Sequence, residues 1–158
     1  MMLQLRKLED SDIGMFKEWL YREHVAKWYT NPSGWLNEVA NRNTVYNWIK
    51  HLIVEKDGVP IGFCQYYDYA LSGETWHGTM NIKDTYSIDY LIGETEYLGQ
   101  GMGTDIVLLL LEEIKNKTAA KKIIVQPENE NKASRNTLLS AGFLYNKEND
   151  VYYKQIID

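Results

Sequence analysis

The apolar positions of this chain change period along its length, and each change marks an element. Met1-Met2-Leu3-Gln4-Leu5-Arg6 alternates as a half-buried strand does and predicts a first strand over Leu3 to Leu8. Helical spacing takes over at Phe16, Trp19, Leu20 and His24. A helix is therefore expected from the capping residues Asp10-Ser11-Asp12 to Trp28-Tyr29. Asn31-Pro32-Ser33-Gly34 reads as a turn, and Trp35, Val39, Val45, Trp48, Ile49 and Leu52 predict a second helix, with Trp48 packed in the core like Trp19. His51 to Glu55 leads into a strand, Lys56-Asp57-Gly58 is a hairpin turn, and Val59 to Tyr67 is the partner strand. A polar loop, Leu71 to Asp84, holds Glu74, Trp76, His77 and Asp84. Ser87-Ile88-Asp89-Tyr90-Leu91-Ile92 is a strand ended by Gly93. Val107, Leu110, Leu111 and Ile114 place a largely buried helix from near Gly103. Lys122 to Gln126 is a strand stopped by Pro127, followed by a helix over Asn131–Ala141 and a hairpin of Phe143–Lys147 with Val151–Ile157. This order fits one domain, 1–158, with a mixed sheet and helices on both faces.

Composition narrows the classes. Hydrophobic residues at 44% and charged residues at 25% are ordinary for a globular domain with a real core. No apolar run reaches membrane-spanning length, and the N-terminus does not read as a signal peptide. The single cysteine, Cys64, cannot form an internal disulfide, which fits a reducing cytoplasm, and it reads as a buried strand residue. Three histidines and one cysteine lack metal-ligand spacing, so no metal is expected. A net charge of −5 argues against nucleic acid and is compatible with a cationic substrate.

The candidate chemistry centres on Leu98-Gly99-Gln100-Gly101-Met102-Gly103-Thr104. Three glycines between a strand and a buried helix let a ligand touch the backbone. The free N–H groups of the helix start then face that ligand, and the dipole favours an anion, so a phosphate or pyrophosphate is expected. No lysine follows as in a nucleoside triphosphate loop, and the position, two-thirds along the chain, does not suit a dinucleotide fold. A glycine turn that merely packs the helix is the competing reading. The loop resembles the coenzyme A pyrophosphate loop of the GCN5-related N-acetyltransferases (GNAT), Gln/Arg-x-x-Gly-x-Gly/Ala, with Leu98 where that family has Gln or Arg. Asn131-Lys132-Ala133-Ser134 through Ala141-Gly142-Phe143 is similar to the family's Asn-x-x-Ser/Ala…Gly-Phe helix. The resemblance implies a mostly antiparallel central sheet of six to seven strands and acetyl-coenzyme A as co-substrate. Leu91, Ile92, Leu98 to Thr104, Asn131 and Asn136 would contact it.

Glu18-Trp19-Leu20, Val25 to Tyr29, Ile61 to Tyr67 and Ile88-Asp89 further resemble the aminoglycoside 6′-N-acetyltransferases. By that resemblance Asp89 is the general base, and Trp28, Gln65, Tyr67 and Glu74 face the substrate. Gln126 stands where that group often has an acid, and Leu138 where many members have a tyrosine that protonates the departing thiolate. Ser134 or water would then supply that proton, and a backbone N–H near Ile92 would serve as oxyanion donor. The residues agree with the name: carboxylates suit ammonium groups and aromatic faces suit amino-sugar rings. For Asp89 the competing reading is a solvated strand face. For Trp28 it is core packing, and for Asn131 helix capping. Three function classes stay open: an amino-sugar N-acetyltransferase, an N-acetyltransferase for a protein N-terminus or other small amine, and a coenzyme A-binding module without turnover. Either a monomer or a homodimer is compatible with the chain.

Overall fold

The computed structural model describes residues 2–156, so Met1 at the start of the first alternating stretch and Ile157 at the end of the last expected strand lie outside them. Seven strands form one sheet: β1 (Leu3–Lys7), β2 (Ile49–Lys56), β3 (Val59–Asp68), β4 (Thr85–Ile92), β5 (Lys122–Val125), β6 (Leu144–Asn146) and β7 (Val151–Gln155). Their order is β1-β2-β3-β4-β5-β7-β6, and every neighbouring pair is antiparallel except β4 with β5. This is the mixed, mostly antiparallel sheet that the resemblance implied.

Helices cover both faces. The long helix α5 (Met102–Lys117) lays Ile106, Val107, Leu110 and Ile114 on one face, against Cys64, Tyr66, Ile88 and Ile123. The helix α6 (Lys132–Ser140) adds Leu138 to that core, fully buried. On the other face α1 (Ile13–Tyr21) and α3 (Pro32–Ala40) bring Phe16, Trp19, Leu20 and Val39 against Ile53, Phe63 and Leu91. Alternation along β4 therefore sends Ile88 towards α5 and its neighbour Asp89 towards the α1/α3 side. Cys64 is buried in a strand, as its context suggested, and burial pushes its thiol up.

Three expectations are corrected. The first helix does not run unbroken to Trp28-Tyr29: Arg22 adopts an extended conformation, and a short helix α2 (Glu23–Ala26) follows. The break lets the Arg22 guanidinium reach Glu94 at 3.1 Å. The second helix stops at Ala40, so Val45 lies exposed and Trp48 half-buried in turns, while Ile49 and Leu52 belong to β2. His51 to Val54 is buried without a break, covered on both faces, and a doubly covered strand is almost continuously apolar. Such a run satisfies helical and strand periods at once, which is why spacing extended the helix into it. The supposed turn at Asn31-Pro32 is in fact the start of α3, where Asn31 Oδ1 accepts from Gly34 N and Pro32 takes the first helical position.

The polar loop Leu71–Asp84 is also better anchored than its composition suggested. A one-turn helix α4 (Tyr69–Ser72) buries Tyr69, whose ring meets Trp76 edge-on at 4.8 Å and whose hydroxyl lies 3.1 Å from His77 Nδ1. Met80 and Ile82 pack on the same cluster. The loop is polar by count, but Trp76, Met80 and Ile82 all turn to one cluster, while Leu71 stays exposed.

Candidate active site

β4 and β5 pair only between Thr85–Ser87 and Lys122–Ile124. Past Ser87, β4 continues to Ile92 while β5 ends at Val125, so the sheet opens into a V at its centre. A strand edge left in this way would carry unpaired backbone groups. Side chains from the first helices take the place of the missing strand. Tyr29 Oη donates to Tyr90 O at 2.6 Å, His24 Nε2 to Ile92 O at 2.8 Å, and Arg22 Nη1 to Gly93 O at 2.9 Å. Within one residue of an antiparallel strand the N–H and C=O point the same way. The N–H groups of Tyr90 and Ile92 therefore turn towards the V, away from β3.

The V opens into a cleft of about 490 Å³. Its walls come from four regions: Trp28, Tyr29 and Trp35 on one side, the edge of β4, Gln126 to Glu128 after β5, and Ser134 with Thr137 on α6. Leu98 and Gly103 bring the glycine loop to its rim. Gly99 and Gly101 both have φ of +73°, a backbone that side chains rarely adopt, and a Cβ on either would project into open space. The α5 N-terminus has no side-chain cap, and the N–H groups of 99–104 find no acceptor among the described residues. Such a cradle of free donors with a helix dipole behind it fits a pyrophosphate. Gly103 sits where a Cβ would lie 3.3 Å from Thr137 Oγ1, so α5 and α6 approach closely there.

Asp89 lies half-buried in the cleft. Gln65 Nε2, itself buried, donates to Asp89 Oδ2 at 2.9 Å, which fixes the carboxyl and leaves Oδ1 towards the cleft. Burial pushes the Asp89 carboxyl up to about 6, against the Gln65 hydrogen bond, and the Glu74 charge pushes the same way. Tyr67 Oη donates to Glu74 Oε1 at 2.8 Å. Glu38, on α3, is held above its ordinary range by burial and by the charges of Asp89 and Glu74. Asp89, Glu74 and Glu38 therefore feel one another, and no lysine or arginine lines the cleft.

Of the expected site residues, Asp89, Trp28, Ile92, Leu91, Leu98, Gly103, Asn131 and Ser134 all line the cleft. Gln65 stands behind Asp89, and Tyr67 with Glu74 adjoins it on the same side of the sheet. Asn131 spends its side chain capping α6, accepting from Ser134 N at 3.1 Å, while Asn136 is exposed and outside the lining. Glu38, His24 and Tyr90 were not singled out from sequence, and Tyr29 only beside Trp28 as an aromatic for the substrate. Tyr90 Oη lies 2.8 Å from Ser134 Oγ, and burial pushes its phenol up to about 12 although the Ser134 bond pulls it down. Tyr90 adjoins Asp89, so alternation alone could have flagged it as facing α6. Glu38 had no local signal, because its role depends on α3 crossing the sheet.

Residues 9–151 match the family model described as Acetyltransferase (GNAT) domain. Aminoglycoside N(6′)-acetyltransferase type 1 of Klebsiella pneumoniae is 29% identical over 149 residues, covering 88% of this chain and 72% of that protein. The protein of the same name from Serratia marcescens matches to the same extent. The crystal structure of aminoglycoside acetyltransferase AAC(6′)-Ib with coenzyme A shares the fold, with a TM-score of 0.85 over 98% of this chain and 95% of that one at 24% identity. A structure of AAC(6′)-Ib with coenzyme A and kanamycin gives a TM-score of 0.83 at 25% identity, over 98% and 95% of the two chains. The family match spans every element that forms the V, and the chain therefore belongs to the GNAT acetyltransferases and is an acetyl-CoA-dependent N-acetyltransferase.

Proposed function

We propose that the chain acetylates a primary amine of a polycationic amino sugar, the 6′-amine of an aminoglycoside, with Asp89 as the general base. The observation that carries this is the Asp89 carboxyl: it is braced through one oxygen by Gln65, open through the other, and raised to about 6 in an acidic cleft. A base is most useful when its pKa lies near the working pH. Above pH 6 Asp89 is ionised and takes a proton from the substrate ammonium, since only the neutral amine attacks. Glu74 and Glu38, which adjoin the cleft without lining it, would attract the further ammonium groups by their charge, and the Trp28 ring would lie against the sugar. The curated relatives that match most of this chain are named for the same acceptor.

The amides of 99–104 and the α5 N-terminus would hold the coenzyme pyrophosphate. Bound there, acetyl-CoA supplies the activated acyl group. The N–H of Ile92, turned into the V, would donate to the oxygen on which charge develops. Leu138 is fully buried and cannot serve the departing sulfur. The Tyr90–Ser134 hydroxyl pair, already at hydrogen-bond distance, would hold the proton that goes there. Asp89 and Tyr90 thus act on opposite faces of one strand.

The test is acetyl transfer measured as thiol release against a panel of aminoglycosides, polyamines and peptide N-termini. Turnover should favour aminoglycosides with a 6′-amine over those with a 6′-hydroxyl. Preference for peptides would transfer the site to the protein-acetylating class, and binding of coenzyme A without any turnover would leave a binding module.

A further inference from the structure

A second cleft, of about 780 Å³, shares no lining residue with the first. It forms where β1 stops at Lys7 while β2 begins with Ile49, so the end of β2 lacks an outer neighbour. The turns of residues 41–48 and the C-terminal end of α5 close its sides. Cations line it, Arg6, Lys7, Arg42, Lys50 and Lys117, against Asp68 and Glu113. That balance is opposite to the chain's net charge of −5.

Two of its polar groups are buried and incompletely bonded. His51 is 4% exposed, and neither ring nitrogen has a hydrogen-bond partner among the described residues. The Arg42 side chain is 9% exposed; Nη1 donates to Val39 O and Nη2 to Asp10 Oδ1, but Nε donates to nothing. Leaving a buried polar group unsatisfied costs roughly 1–3 kcal/mol. Two such groups beside one another, one of them a guanidinium, call for an acceptor that also carries negative charge. Asp10 pairs with Arg42 only through Nη2 and from the solvent side, its own side chain 89% exposed, so an anion inside the cleft would supply the missing hydrogen bonds together with further charge compensation.

We propose that this cleft is a second binding site, which takes the phosphate or carboxylate group of a small organic anion on His51 and Arg42. The volume exceeds that of a bare ion, and the half-buried ring of Trp48 offers surface for the organic part. The site is coupled to protons. Burial and, secondarily, the Arg42 charge hold His51 down to about 4, so it is neutral in the empty cleft. An anion between the two groups offsets the Arg42 charge, and His51 then gains a proton. The other charged groups facing this region are Arg6, bonded to Asp12 and Glu55, with Lys7, Lys50 and Lys117, and the acids Asp68 and Glu113; Asp10 offsets Arg42 from the solvent side.

The experiment follows the His51 ring by NMR in the coenzyme-saturated protein, so that the glycine loop is already occupied. The chain has three histidines, and His77→Asn with His51→Phe assigns the signals. Sulfate, whose charge is constant in this range, is titrated at pH 5.5 and 7.5 against chloride at matched ionic strength, with inorganic phosphate and acetate as further arms. The His51 signals should shift saturably, with sulfate bound about tenfold more tightly at pH 5.5. Arg42→Gln should weaken binding about tenfold without changing coenzyme affinity. Response to sulfate and phosphate but not acetate identifies a phosphate-class ligand, and the converse a carboxylate. If no anion moves the His51 signals of the wild-type protein, the cleft holds ordered water only and the proposal is overturned.

Discussion

The two clefts of this molecule bury titratable groups of opposite character. In the V between β4 and β5, burial raises the Asp89 carboxyl to about 6 with Glu74 and Glu38 as charged neighbours. At the end of β2, burial lowers His51 to about 4 beside Arg42. Both shifts oppose the charged form, and both have burial as their main cause. What differs is the sign of the neighbours, which reinforces the shift in each case. Each cleft is therefore in tension until a ligand of the opposite sign arrives, a cation in the first and an anion in the second. The contrast also separates their effects on stability. The folded pKa of Asp89 exceeds its ordinary value of 3.8, so its contribution to stability is present at low pH and is lost as the pH rises through about 6. His51 titrates below its ordinary 6.5, so stability is retained above 6.5 and lost as the pH falls towards 4.

Asp89→Asn is the largest expected break. It keeps the shape and the hydrogen bond site but removes the proton acceptor. kcat should fall by about 10²–10⁴-fold, and the acidic limb near pH 6 should flatten. The same change should stabilise the ligand-free protein at pH 7.5 by on the order of 2 kcal/mol, because a carboxylate no longer ionises in a buried place. Denaturant melts at pH 5 and 7.5 check the sign. A variant that keeps wild-type kcat, or loses stability at pH 7.5, removes Asp89 from the base role.

Gly101→Val tests the loop. A branched side chain at φ +73° is strained and projects into the open space where the pyrophosphate would approach. Coenzyme A affinity, measured by calorimetry, should fall by at least about tenfold, equivalent to roughly 1.4 kcal/mol. The anion response of His51 should persist, since the second cleft shares no lining residue with the first. Unchanged coenzyme affinity would move the pyrophosphate elsewhere.

These variants also show how far the sequence could be read. The strand-loop-helix order was legible, and so was the placement of the glycine loop and Asp89 within it, because each rests on local spacing: glycines before an apolar run, and an acid in a strand whose neighbours face the other way. Ile49 and Leu52 were misplaced because β2, covered on both faces over His51–Val54, loses its two-residue alternation there. The side chains of Arg22, His24 and Tyr29 that satisfy the open edge of β4 carried no local pattern. Their partners are 71, 68 and 61 residues away, and their function exists only because β5 is short. Glu38 and the whole second cleft were invisible for the same reason. His51 reads as an ordinary polar residue at the start of a strand until the fold buries it without a partner.

Tyr90→Phe is expected to have a smaller effect. It removes one hydroxyl of the pair with Ser134, yet water can reach a departing sulfur. A fall of about tenfold in kcat, with little change in KM for the amine, would place the pair at the leaving-group step. A change confined to KM would make Tyr90 a binding residue instead.

The smallest expected effect gives the finest test of the comparison, because it concerns the neighbours and leaves the central groups intact. Glu38 does not line the first cleft, but its carboxyl is held high by burial and by the charges of Asp89 and Glu74. The influence must run both ways, since a pairwise interaction is shared. Glu38→Gln removes one negative charge from the group while keeping the side chain's size. Two consequences should appear together. KM for a polycationic aminoglycoside should rise about two- to fivefold, within the range of an incompletely buried charge pair, and should become less sensitive to salt. The acidic limb of kcat/KM should move to lower pH, because one of the charges opposing Asp89 ionisation has gone. A monoamine acceptor should show the second change without the first. That split distinguishes an electrostatic group acting on both substrate and base from a residue that merely shapes α3, whose loss would alter KM for both acceptors and leave the pH limb in place.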